Sequence, residues 1–367
     1  MYAFLTFDTY IKYIKNAETE VYKMNEQNMN NQIPGQPGSN IKITEEEYNY
    51  AQEVIKRLSD YYDAKVVGQQ QLKFSLIGAI IADGHILIES VPGLAKTTAA
   101  KAISDAVDGK FARIQCTPDL LPGDIIGTQI YNQANGKFET ILGPVFANFV
   151  LLDEVNRSSA KTQSAMLEAM QEKQVTIGGT TYKMPQDIFT VIATQNPIEQ
   201  EGTYPLSEAQ TDRFLIKEVI TYPLASEEVE ILNRIENGSI SQTTPPVLTI
   251  QDVDRVQDIC DKVYVDESVK WYISSIVVAS RRANQIPGCE VGKYVRIGCS
   301  PRASIAFLKM ARAAALMQGR TYVTPDDVKA VSHQVLRHRI GLNYSAVADN
   351  ISVEQVIDGI VNSVKTP

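Results

Sequence analysis

Lys96 and Thr97 stand near the end of SVPGLAKTT, Ser90 to Thr98, where an apolar run, HILIE, gives way to a small-residue helical run, TTAAKAISDA. A strand, a tight loop and a Lys-Thr pair at a helix start suit a nucleotide phosphate. Loop N–H groups and the positive helix N-terminus cradle the β-phosphate, the ammonium reaches the β/γ oxygens, and the hydroxyl can ligate Mg²⁺. The loop departs from GxxxxGK[ST] at two places, with Ser90 where the first Gly belongs and Ala95 where the second does. Ser90 serves if its backbone is permitted to an L-residue, so a φ > 0 there would mark strain.

The second half of such a site lies downstream in FVLLDEVNR, Phe149 to Arg157, an apolar strand ending in paired carboxylates. At the carboxyl end of a buried parallel strand Asp153 can hold a Mg²⁺ hydration shell and Glu154 can polarise a water for attack on the γ-phosphate. A third strand, IFTVIATQNP, ends at Asn196. Its amide either orients the attacking water in the same crevice or caps a turn before Pro197.

Around these residues the chain alternates β and α, which predicts a parallel sheet. From Thr44 an acid-led helix, TEEEYNYAQEVIKRLSDYY, runs to VVGQ, where Gly68 marks the kink into a second helix, QQLKFSLIGAIIADG. FARIQC and FLIKEVI are further strands, the last one following Asp212-Arg213. Two segments read as β-hairpins closed by two-residue turns, at Asn135-Gly136 and at Gly178-Gly179. After Ala225 the pattern is helical only, with Ser226, Thr249 or Asp266, and Thr324 before Pro325 as N-caps and a terminal helix near 353–364. Met166 and Met170, one turn apart, read as a core-facing stripe.

The 367 residues exceed one comfortable core, and two domains plus an extension are expected: 1–43 an N-terminal extension and linker, 44–224 the αβα domain, 225–367 a helical domain. Residues 25–41, Asn/Gln-rich with Pro-Gly breaks, read as a flexible linker, and Met24 and Met29 are alternative starts. Formal net charge of −8 argues against a general grip on nucleic acid. The start carries no basic leader and no run approaches a membrane span, so an unexported chain is expected. Cys116, Cys260, Cys289 and Cys299 lack CxxC spacing and read as reduced, buried thiols, which suits the cytoplasm. His85, His333 and His338 show no metal spacing and read as packing or surface residues.

The run GPVFANFVLLDEVNRSSAKTQSAMLEAMQEKQVTI, with ATQNPIEQEGTYPLSEAQTDRF and GCSPRAS, resembles the MoxR family of AAA+ ATPases over roughly residues 46 to 340. Its phosphate loop commonly reads GxPGxAKT, so Ala95 is ordinary there and Ser90 remains a departure. The resemblance implies a P-loop domain with a five-stranded parallel sheet, a helical lid, and two hairpins that match the helix-2-insert branch as pore-facing or partner-contacting loops. It also implies a homo-oligomeric ring, usually a hexamer, with ATP/ADP and Mg²⁺ at subunit junctions.

By that resemblance Val91, Pro92, Gly93, Leu94, Ala95, Lys96, Thr97 and Thr98 form the nucleotide cradle, and Gly68 and Gln69 flank the adenine. Thr97 and Asp153 are the metal ligands, Glu154 the base and Asn196 sensor 1. Arg213 resembles an arginine finger supplied to the neighbouring subunit, although its residue type alone equally suits a surface ion pair with Asp212. Arg302 resembles sensor 2, closing on the γ-phosphate of its own subunit. The implied activity is ATP hydrolysis coupled to maturation of client proteins, often ones with von Willebrand factor A domains. A nucleotide-gated scaffold with negligible turnover is the alternative, and a nucleic-acid motor a more remote one.

Overall fold

The computed structural model describes residues 43–367 apart from 92, 135, 186, 198–202, 239–243 and 287, so the expected linker and alternative starts lie outside the described residues. Helix α1, Glu45–Lys65, begins at a reciprocal cap in which Glu47 N–H donates to Thr44 Oγ1 at 3.2 Å and Thr44 N–H to Glu47 Oε2 at 2.9 Å. Its buried stripe, Val54, Ile55, Leu58, Tyr61 and Tyr62, packs inward at three- and four-residue spacing. Gly68 and Gln69 both take positive φ, 66° and 53°, and turn the chain into α2, Gln70–Ile81. The positive φ at Gly68 calls for glycine there, since a Cβ would meet only the movable end of the Glu227 side chain.

Strand β1, Ile86–Glu89, leads through the phosphate loop into α3, Lys96–Ala106, then β2, Val107–Asp108, and β3, Phe111–Gln115. Short α4, Pro122–Ile126, precedes the hairpin β4, Gly127–Asn132, with β5, Lys137–Leu142. Then come β6, Phe149–Asp153, α5, Ala160–Glu172, the hairpin β7, Gln174–Ile177, with β8, Thr180–Lys183, and β9, Thr190–Gln195. Helix α6, Glu208–Thr211, precedes β10, Ile216–Val219.

The main sheet is parallel throughout, in the order β10-β1-β9-β6-β3. Strands β6 and β9 read as near-continuous apolar runs because both of their faces are covered. Leu87, Val150, Leu152 and Val191 point to one core with α5 and Phe214, whereas Ile86, Ile88, Leu151 and Ile192 point to the other with α1, α2 and α3.

The second hairpin turns through Gly178 and Gly179 at φ 57° and 84°, with Ile177 paired to Thr180, the expected two-residue turn. The first does not. Asn132 pairs with Lys137, which leaves a four-residue loop. Asn132 Oδ1 accepts Ala134 N–H at 2.9 Å and Gly136 N–H returns to Asn132 O at 2.9 Å, so local side-chain bonding sets a longer turn.

Beyond the sheet lie α7, Ala225–Glu236, β11, Leu248–Thr249, α8, Ile250–Asp261, α9, Glu267–Arg281, and β12, Val295–Ile297. They are followed by α10, Pro301–Met317, α11, Pro325–Ala330, α12, Ser332–Leu336, β13, Gly341–Leu342, α13, Tyr344–Ala348, and α14, Val353–Ser363. Thr249 and Asp266 cap α8 and α9 through bonds from Asp252 N–H and Ser268 N–H. Ser226 is no cap. Helix α7 has already begun at Ala225, and Glu227 reaches back to Leu224 N–H at 2.8 Å instead. The region is also not helical only, since β11 pairs with β2 and β12 with β13.

Lys42–Pro367 is one compact unit, and the core beneath α1, α2 and α3 continues without a break through α8, α9, α10 and α14. Met166 and Met170 are buried in the opposite core, and all four cysteines are free and buried. Burial raises the thiols of Cys116 and Cys299 to about 11 and that of Cys260 to about 12, which keeps them protonated. Among the described residues no helix is long and apolar enough to cross a membrane.

Candidate nucleotide site

The carboxyl ends of β1, β6 and β9 bring the phosphate loop, Asp153, Glu154 and Asn196 to one edge of the sheet. Ser90 sits there without strain: it is buried, its φ is not positive, its N–H donates to Gln195 O at 3.2 Å and its hydroxyl to Val91 O at 3.0 Å. The left-handed residue is Ala95, at φ 54°, directly before the helix that starts at Lys96. The loop thus needs its glycine geometry at the second position, and an alanine holds it. Gly93, at φ 86°, faces open space where a Cβ would stand, and Lys96 Nζ rests on Ser90 O at 3.2 Å. Val91, Leu94 and Thr98 complete the described cradle, and Pro92 lies outside the described residues.

Asp153 is nearly buried and fully engaged. Its Oδ1 accepts Thr194 Oγ1–H at 2.7 Å, and its Oδ2 faces Thr97 Oγ1 at 3.5 Å and Arg113 Nη2 at 2.6 Å. Glu154 takes a left-handed backbone, φ 58°, fixed by its N–H donating to Thr194 Oγ1 at 2.9 Å. Its Oε2 accepts Gln115 Nε2–H at 3.0 Å and Arg157 Nη1–H at 3.2 Å. Thr194 therefore orients both acids. A hydroxyl and a carboxylate side by side are hard oxygen donors, the set that suits Mg²⁺ completed by phosphate and water oxygens. Among the described residues no cluster of three or more His, Cys, Asp or Glu offers a competing metal site.

Asn196 is buried just past β9, and its carbonyl accepts Asn156 Nδ2–H at 3.3 Å. Gly68 and Gln69 lie at the same edge, with Gln69 Nε2 donating to Thr221 O at 3.1 Å just beyond β10. Arg113 and Gln115 are absent from the sequence expectations. The alternation in FARIQ puts them on one face of β3, and the pairing of Gln115 with Asp153 brings that face to the acids.

Arg213 and Arg302 lie elsewhere. Both line a cavity of ≈ 200 Å³ with Gly84, His85 and Leu215, residues that precede β1 and β10. This is the amino-terminal edge of the sheet. The rise along β1 alone separates it from the phosphate loop by roughly 17 Å, from five residue steps. Arg302 at the start of α10 is thus not directed at its own protomer's phosphate loop, contrary to the expected closure on its own γ-phosphate. The reason is the packing of α10 on α2 and α8, which carries the helix start to the far end of β1.

Arg213 is not the ion-pair partner of Asp212 either. That carboxylate is occupied by Arg339 Nε at 2.8 Å and Ser300 Oγ at 2.8 Å, with Arg302 Nη1 3.8 Å away. Arg213 Nε is buried and has no hydrogen-bond partner among the described residues. His85, under the same cavity, is held neutral: burial lowers it to about 4, its Nδ1 accepts Val191 N–H, and its Nε2 lies 3.2 Å from Met170 O. His338, bonded to Phe214 O, is pushed down for the same reason, and His333 meets Asp358 at the surface.

Residues 85–216 match the family model "ATPase family associated with various cellular activities (AAA)", and residues 290–360 match "AAA lid domain". Chaperone MoxR1 of Mycobacterium tuberculosis is 48% identical over 302 residues, covering 82% of this chain and 79% of that protein. YeaC of Bacillus subtilis is 42% identical over 314 residues, covering 86% of this chain and 95% of its own. A crystal structure of a Cytophaga hutchinsonii protein superposes with a TM-score of 0.82 at 46% identity, covering 88% of this chain and 98% of that one.

Proposed function

The chain belongs to the MoxR family of AAA+ ATPases, and on that premise we propose that it hydrolyses ATP to ADP and phosphate at the junctions of a homo-oligomeric ring. The cycle remodels client proteins or assists their assembly. One observation carries the reading: the phosphate loop, Asp153, Glu154 and Asn196 share one edge of the sheet, while Arg213 and Arg302 share the other. A protomer so built meets nucleotide with its first edge and offers guanidiniums to a neighbour with its second.

Within one protomer the loop N–H groups and the ammonium of Lys96, released from Ser90 O, bind the phosphates. Thr97 and Asp153 would hold Mg²⁺, which when bound offsets phosphate charge. Glu154 accepts a proton from the attacking water, and Asn196 orients that water. Gly68 and Gln69 flank the base. From the adjacent protomer Arg213 and Arg302 stabilise charge on the transferring phosphoryl group, a contribution typically about 10³ to 10⁵ in rate for such a finger.

The first hairpin supplies a client surface. Ile130, Tyr131, Phe138 and Ile141 are exposed there, and the Tyr131 and Phe138 rings lie 5.3 Å apart. Clients with von Willebrand factor A domains are the family expectation, a hexamer the expected ring, and the cytoplasm the compartment that matches four buried free thiols. One feature favours the scaffold alternative: Glu154 is tied to Gln115 and Arg157, an arrangement that withholds the base until those bonds open. Glu154→Gln tests the hydrolytic reading. It keeps nucleotide binding and lowers steady-state phosphate release by at least about 10²-fold, the usual worth of a general base. Undiminished release would remove Glu154 from that role, and negligible release from the wild-type ring would favour the scaffold.

A further inference from the structure

The Arg302 side chain is 45% exposed and Arg213 lines the same cavity, yet the guanidinium behind them is enclosed. The Arg339 side chain is 2% exposed. Its Nε donates to Asp212 Oδ1 at 2.8 Å, its Nη2 to Phe214 O at 2.6 Å and Asp212 O at 3.3 Å, and its Nη1 to Leu215 O at 3.1 Å and to Val335 O. One guanidinium thereby bonds the carbonyls on both sides of Arg213. The other Asp212 oxygen accepts Ser300 Oγ–H, and Ser300 Oγ in turn accepts the N–H of Arg302 at 3.1 Å. Arg302 Nη1 stands 3.8 Å from the same carboxylate, and its Nη2 donates to Gln171 Oε1 at 3.3 Å.

We propose that Asp212 and Arg339 are positioning residues that lock Arg213 and Arg302 into one unit, so that both guanidiniums reach the neighbouring protomer's nucleotide together. The inference rests on the reading that these arginines act between protomers. Arg339 borders the same cavity, but its side chain is almost wholly enclosed and its five acceptors leave no donor to spare for a ligand. A desolvated ion pair of this kind is weak evidence for stability but is well suited to fixing geometry, because every alternative placement leaves a buried charge or carbonyl unpaired. Arg339 follows α12 and Arg337 of the same stretch meets buried Glu218 on β10 at 3.4 Å, so the helical region grips both β10 and the segment before it. A shift of that region carries Arg213 and Arg302 with it.

The test is complementation in mixed assemblies. Arg339→Met subunits keep their own phosphate loop, whereas Lys96→Ala subunits keep their arginines but lose phosphate grip. Each alone should release phosphate slowly, and Arg339→Met should bind a fluorescent ADP analogue with the wild-type Kd. Mixed one to one, turnover should recover to about a quarter of the wild-type rate per protomer, the share of head-to-tail junctions that pair an intact loop with intact arginines under random assortment. Arg213→Ala with Lys96→Ala is the control. If the control recovers and the Arg339→Met mixture does not, the positioning role is overturned; if the control itself stays inactive, the between-protomer reading falls and the inference with it. Asp212→Asn, which keeps the shape of the hub while removing its charge, runs the same comparison should Arg339→Met fail to fold.

Discussion

Arg113 occupies the oxygen that a divalent cation would use. Its Nη2 lies 2.6 Å from Asp153 Oδ2, with the arginine side chain 49% exposed and the aspartate 9%. Two unit charges at about 4 Å attract by about 1 kcal/mol in bulk water and about 4 kcal/mol at an effective dielectric of about 20. The half-exposed guanidinium places the pair near the lower figure. A cation that engages Asp153 must displace this contact, so removing it strengthens metal binding by about 1 kcal/mol, or about fivefold. Arg113→Met keeps the bulk of the stem and deletes the charge. The assay is binding of a fluorescent ADP analogue titrated with Mg²⁺ from an EDTA baseline: the half-saturating Mg²⁺ falls about fivefold while metal-free binding is unchanged. A midpoint that stays put or rises would refute competition at Asp153.

Two further outcomes concern stability. Ala95→Gly relieves a left-handed alanine that costs about 1–2 kcal/mol, against about 0.5–1 kcal/mol of added chain entropy, so the urea midpoint should rise by the equivalent of roughly 0.5–1 kcal/mol. A lower midpoint would show that the loop carries no strain there. His85 stays neutral in the fold down to about 4, while an unfolded histidine takes a proton below about 6.5. The unfolded state then binds the extra proton, and stability falls as pH drops through that window by about 1.4 kcal/mol per unit from this group. His85→Gln should flatten the slope of unfolding free energy against pH by that amount between pH 6.5 and 4, with the contribution of His338 remaining. An unchanged slope would mean that His85 is not the titrating group.

The elements that hold the nucleotide edge were legible wherever burial on both faces writes itself as an apolar run, as in β6 and β9, or where a cap must carry an oxygen, as at Thr249 and Asp266. Local rules misled where a side chain outbid them. Asn132 captured Ala134 N–H and lengthened the first hairpin loop, and Glu227 capped α7 from inside, leaving Ser226 without that role. The placement of Arg302 was out of reach for a different reason. A helix start can be read from Ser300-Pro301, but which edge of the sheet it meets depends on how α10 lies against α2 and α8. Nothing local in LRHRIG marks Arg339 as buried; its partner Asp212 lies 127 residues away in sequence. The positive φ that would have marked strain at Ser90 occurs at Ala95 instead, because the helix entry, not the strand exit, demands the left-handed turn.

On the reading proposed above, the division of polar chemistry between two ends of the sheet makes each protomer a link with a donor end and an acceptor end. Two copies joined head to tail complete a single site and leave one unlike half at either extremity; an open chain always has one site fewer than its members. Only closure makes the two numbers equal. Turnover per protomer therefore counts junctions, and climbs with assembly even if the chemistry at each junction never changes. A subunit lost from a closed array removes two complete sites at once, a sensitivity to missing members that no protomer carries by itself.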